Sequence, residues 1–126
     1  MRYLISATLL VAAVIHLLPV AGVLGAARLS TLYGLTMDEP NLVILMRHRA
    51  VLFGLLGVFL AIAAFRPALQ PMAFIAGFVS VLSFLYLAWS VGGYNAQVGR
   101  VFMADIVALV SLVIGAGAWA FTPRAG

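Results

Sequence analysis

Cysteine and lysine are absent from the 126 residues, and only three acidic side chains occur: Asp38, Glu39 and Asp105. Without cysteine there is no disulfide, no thiolate metal site and no thiol chemistry, and the redox compartment goes unmarked. Charge of either sign is scarce at 8% of the residues, against roughly 25% in an average soluble domain. A chain this poor in charge cannot cover a folded core with a water-compatible surface. It also has no glycine loop for phosphate, no pair of catalytic carboxylates and no Ser/His/Asp grouping. These absences argue against a soluble enzyme of the common kinds.

What is present is apolar. Hydrophobic residues make up 66% of the chain and fall in four long runs, so the bilayer is the expected solvent. The length suits one domain. Seven arginines leave a net charge of +4, and they stand mostly at the ends of apolar runs, as membrane flanks do. That distribution points to lipid as the partner rather than nucleic acid.

The first run covers residues 3–24, enough to cross a bilayer at about 20 residues per span. It holds His16 and Pro19. A proline there clashes with the carbonyl of Ile15 and predicts a bend or opening beside His16. A cleaved signal peptide is the rival reading, with Arg2 before the run and Gly25-Ala26-Ala27 after it. A signal's apolar core is only about 7–15 residues, so a retained helix is favoured. In the stretch 25–41, Leu29, Leu32 and Tyr33 fall at helical spacing and Gly34 is a natural stop, which predicts a short interfacial helix.

Asp38-Glu39-Pro40 resembles a helix start capped by Asp38. The second helix is expected over 39–65, with its span over 42–65. Arg66-Pro67 breaks the chain, a third span covers 71–91, Gly92-Gly93-Tyr94-Asn95 turns, and a fourth span covers 98–121. The expected fold class is all-α: a four-transmembrane-helix up-down bundle, with the short interfacial helix between helices 1 and 2. Small residues recur at Ala50, Gly54, Gly57 and Ala61, and at Ala104, Ala108, Ser111, Gly115 and Ala118. In lipid such stripes let helices approach closely, and they are read as packing.

An up-down order gathers the scarce polar groups. It brings the end of helix 1, the start of helix 2, the end of helix 3 and the start of helix 4 to one membrane side. Met46-Arg47-His48-Arg49-Ala50 lies at the mouth of the second span. Asp105 lies roughly 6–8 Å below the start of the fourth span, and His16 roughly 12 Å from the end of the first. Trp89, Ser90, Tyr94 and Asn95 roof the same side. A charged Asp facing lipid is unfavourable by about 2.5–3.5 kcal/mol even on the lenient insertion scale. Asp105 is therefore expected to face inward and pair with Arg47 or Arg49, or else to be protonated. Residues 47, 48 and 49 point about 100° apart. The stripe of Ala50 and Gly54 favours Arg47 as the inward one, with Arg49 lying over Phe53 and Leu56. The plainer reading of the triplet is interfacial anchoring, and that of His16 is a hydrogen-bonded core residue. Two histidines also admit a bis-imidazole haem b if His16 and His48 share one depth, although His48 at the boundary reads as an interface residue.

Several segments carry a family resemblance: Leu32-Tyr33-Gly34, the acidic-Pro-Asn of residues 38–41, Leu45-Met46-Arg47-His48-Arg49-Ala50, the Gly54/Gly57 pair, Gly92-Gly93-Tyr94-Asn95 and Asp105. Over most of its length the chain resembles a family of small bacterial four-helix membrane proteins, distantly DoxX-like. Some members carry the label phosphopantetheine adenylyltransferase. That label implies a soluble nucleotidyltransferase with a His-x-Gly-His phosphate site, and no such motif stands in this chain. The resemblance implies a fold and a membrane location, and no mechanism.

The expected function is binding of a small anionic or quinone-like ligand, or of a partner helix, in a polar pocket of His16, Arg47 or Arg49, Asp105, Trp89, Tyr94 and Asn95. No resident cofactor and no turnover are expected. A haem- or quinone-linked redox or proton-relay subunit is one alternative. A small dimeric transporter is the other, although Asp105 is shallow for that. A second copy or a partner membrane protein is the candidate neighbour. Arg2, Arg66 and Arg124 mark one side and Arg28 and Arg100 the other, so both termini are expected in the cytoplasm of a bacterial inner membrane.

Overall fold

Proline and glycine punctuate the chain where its helices begin and end. The computed structural model describes residues 1–19, 33 and 39–122. Within these, four α-helices form: α1 (Arg2–Leu17), α2 (Pro40–Ala63), α3 (Gln70–Val91) and α4 (Ala96–Phe121). The helices α2 to α4 are each long and apolar enough to cross a membrane, whereas the described part of α1 is shorter. Residues 20–24 of the first run, the expected interfacial helix apart from Tyr33, and Asp38 lie outside the described residues.

Local chemistry sets each boundary. Regular helix in α1 stops at Leu17, and Leu18 and Pro19 continue as a 3-10 turn. Pro40 opens α2, where its missing N–H is no loss and its fixed φ suits the first turn. The Glu39 carboxylate caps that end, accepting from the Leu42 N–H at 2.9 Å. Arg66 is extended, at φ −130° and ψ 93°, because the Pro67 ring disfavours helical geometry in the residue before it. A 3-10 turn over Pro67–Leu69 then leads into α3. Gly92 and Gly93 both have φ +67°, a positive φ that glycine adopts readily and an L side chain resists. Asn95 caps α4, its Oδ1 accepting from the Val98 N–H at 2.9 Å. α4 thus starts two residues before the expected 98, and α2 ends two before the expected 65.

The helices pack as a ring. α1 lies against α2 and α4, α3 lies against α4, and the α2–α3 seam is the most loosely packed of these pairs. Each helix places one large side chain in the fully buried centre: Leu9, Leu60, Val81 and Leu112. The outward faces are as apolar as the inside. Val91 is 81% exposed and Phe121 83%, an arrangement suited to lipid rather than to water.

Small residues enable the closest approaches. A Cβ on Gly115 of α4 would collide with Thr8 Oγ1 of α1 and sit 3.0 Å from the Phe74 ring of α3. On α2, a Cβ on Gly57 would sit 2.7 Å from the Leu17 side chain. In lipid, where apolar burial drives little, this packing and the interhelical hydrogen bonds hold helices together.

Candidate functional site

Among the described residues, Thr8, His16, Gln70 and Asp105 are both polar and buried. Two of them, from different helices, meet a cation from a third. His16 of α1, Arg49 of α2 and Asp105 of α4 line one cavity of about 60 Å³, together with Phe53 and Ala104. The space exceeds the roughly 10–15 Å³ that one water requires. Asp105 is 7% exposed, so its carboxylate is turned away from the outer surface. The Arg49 charge is near enough to act on it.

His16 is fixed through both ring nitrogens. Nδ1 lies 2.8 Å from the Ala12 carbonyl oxygen and Nε2 lies 2.9 Å from Ser80 Oγ. A carbonyl can only accept, so Nδ1 carries a proton, and in the neutral ring Nε2 accepts from the Ser80 hydroxyl. The ring also tilts against Phe53, with centroids 5.6 Å apart. His16 therefore ties α1 to α3 across the ring of helices, while Arg49 and Asp105 face each other from α2 and α4. The two diagonals meet at one level.

Arg49 is half-buried among aromatic rings. Its guanidinium carbon lies 4.4 Å from the Phe53 centroid, 5.4 Å from that of Tyr33 and 5.9 Å from that of Phe84. Each such contact is worth about 0.5–2 kcal/mol, depending on how dry it is. Nη1 donates a hydrogen bond to the Tyr33 hydroxyl. Tyr33 is itself buried and is held by Asn95, whose Nδ2 donates to the Tyr33 carbonyl at 2.7 Å.

A larger cavity of about 360 Å³ adjoins this cluster. Tyr33, Met46, Arg49, Phe84, Tyr94 and Val98 are among its walls, and Arg49 is its one charged wall among the described residues. The size falls within the range of small-molecule sites, about 300–1,000 Å³.

Sequence and structure part at several residues. Arg47, which the small-residue stripe favoured as the inward arginine, is exposed, and Arg49 turns inward. The reason lies in the face that α2 buries: Ala50, Gly57, Leu60 and Ala63 are its buried positions. Counted back at helical spacing, that face reaches Phe53 and Arg49, and Arg47 falls on the opposite side with exposed Ile44, Val51 and Leu55. His48 is exposed while His16 is buried, so the two imidazoles do not share one environment. Trp89 does not roof the site. It is 74% exposed and tilts against Tyr86, outside the bundle. Tyr94 does line the larger cavity and stacks on Phe102 at 5.7 Å. Asn95 contributes as a helix cap and as the support of Tyr33.

Ser80, Phe53, Phe84 and Tyr33 belong to the site without having been assigned to it. Ser80 had one signal, a hydroxyl in the middle of an apolar run, where hydroxyls often bridge helices. No protein-family model, curated protein or solved structure matches the chain.

Proposed function

We propose that this chain is an integral membrane protein of the bacterial inner membrane that binds a small anionic or quinone-like ligand in the pocket around Arg49, without turnover. Its four helices cross the bilayer as an up-down bundle, with both termini in the cytoplasm and the pocket near the outer face. The observation that carries this reading is the meeting of His16, Arg49 and Asp105, from three helices, at one level of an otherwise apolar protein. Intramembrane ionisable groups are unfavourable, and they mark functional sites by default. The adjoining cavity of about 360 Å³ suits a small molecule better than a partner helix, which is about 10–12 Å across. The resemblance to small DoxX-like membrane proteins supports the same fold and location.

Transport is less well supported. Leu9, Leu60 and Leu112 are fully buried, about two to three turns beyond the polar level, and no polar path crosses them among the described residues. A haem role would require Nε2 of His16 to leave Ser80, and no resident cofactor is proposed. Purified protein is expected to show no Soret band.

The test is native mass spectrometry of protein extracted from membranes in mild detergent. A small bound molecule is expected in the wild type and in Arg47→Gln, and its loss in Arg49→Gln. Equal retention in all three proteins, or none in any, contradicts the reading.

A further inference from the structure

Arg49 lines three neighbouring cavities and is the one charged side chain that does so among the described residues. The first holds His16 and Asp105, and the second is the cavity of about 360 Å³ under Tyr94. The third, of about 250 Å³, lies along the α2–α3 seam and is walled by Leu52, Phe53, Leu56 and Ser80. A guanidinium has five N–H donors, and Tyr33 accepts from one of them. The rings of Phe53 and Phe84 offer π faces and no acceptor. The two larger cavities are thus apolar spaces into which a fork of donors points.

One carboxylate already shares a cavity with that fork. Asp105 faces it from α4 across the smallest cavity, and among the described residues it is the only acid that lines any of the three. A second anion would have to shed its hydration and then sit beside a carboxylate in an apolar place, and both terms oppose it. A neutral molecule with carbonyl oxygens meets neither penalty and can accept from the free N–H groups. An apolar tail could follow the α2–α3 seam, where helix contact is weakest and where the side chains beyond Arg49 are Leu52, Phe53 and Leu56.

Resting on the binding reading above, we infer that the Arg49 site takes neutral amphiphiles bearing acceptor oxygens in preference to anions, with Asp105 as the residue that sets this choice. The ligand comes from the bilayer through the α2–α3 seam.

A matched pair of probes isolates charge from shape: dodecanoate and methyl dodecanoate, offered to full-length protein in nanodiscs, with empty nanodiscs as the blank. The wild type should retain the ester at least about tenfold more tightly than the acid, the factor that corresponds to 1.4 kcal/mol. Asp105→Asn should shrink that ratio about tenfold or reverse it, and Asp105→Glu should restore it. Arg49→Gln should lose both probes while keeping its helical circular dichroism. Wild-type protein that prefers the acid, or Asp105→Asn with an unchanged ratio, overturns this inference and leaves ligand binding intact. The wild-type ratio is informative even if the variants fail to fold. Retention of neither probe overturns the binding reading itself, and this inference with it.

Discussion

Around the half-buried Arg49 guanidinium, three aromatic rings and a phenol oxygen take over part of the role of water. Among the described residues, the Tyr33 hydroxyl is the neutral acceptor in that shell. Hydrogen bonds to charged groups contribute about 1.5–3 kcal/mol, so Tyr33→Phe should lower stability by roughly that amount. Unfolding of the detergent-solubilised protein measures it, and an unchanged midpoint would show that the hydroxyl is dispensable. Ser80→Ala removes the partner of His16 Nε2 and leaves a buried ring nitrogen unsatisfied, a loss of about 1–3 kcal/mol. Choosing between Arg47 and Arg49 from sequence failed for a definite reason. Small residues mark where helices come close, but the inward face of α2 is centred on Gly57 and Leu60 and runs back through Phe53 to Arg49. An alternative count along that face would have put Arg49 inside.

The helices themselves were legible because proline, glycine and capping side chains stand at their ends. Pro40, Pro67, Gly92 and Gly93 fall at or within a residue or two of observed boundaries. The errors were those of capping. Glu39 caps α2, whereas the sequence pattern points to Asp38, and the Asn95 side chain starts α4, whereas its place in Gly92-Gly93-Tyr94-Asn95 marks only a turn. Both caps depend on which carboxylate or amide oxygen reaches an N–H, a matter of backbone geometry that composition does not encode. Asn95→Ala removes that cap and the support of Tyr33 together. It should therefore be more destabilising than the roughly 1 kcal/mol of a cap alone. Glycine substitutions separate packing from propensity within α4. Gly115→Ala puts a Cβ against Thr8 and Phe74 and should destabilise by about 1–3 kcal/mol. Gly117→Ala meets nothing within 4 Å and should be neutral or stabilising by up to about 1 kcal/mol. Thermal unfolding of the two variants side by side checks the helix register, and equal effects would contradict it.

For the molecule as a whole, polar groups are few and concentrated, and apolar surface is everywhere else. Composition alone conveyed the membrane class, since 8% charge leaves no other solvent. It also placed Asp105 inward, because a short carboxylate cannot reach the interface from its depth along a stem as arginine can. Which cation would face it depended on how α2 rotates against α1 and α4, a product of packing that no local motif records. Arg49 and Asp105 share a cavity although their helices are not direct neighbours in the ring. A double-mutant cycle of Arg49→Gln and Asp105→Asn measures their pairing directly, read as unfolding free energy in detergent micelles, with Arg47→Gln and Asp105→Asn as the control cycle. The pairing predicts a coupling of at least about 1 kcal/mol between 49 and 105 and additivity between 47 and 105. Additivity between 49 and 105 would contradict it.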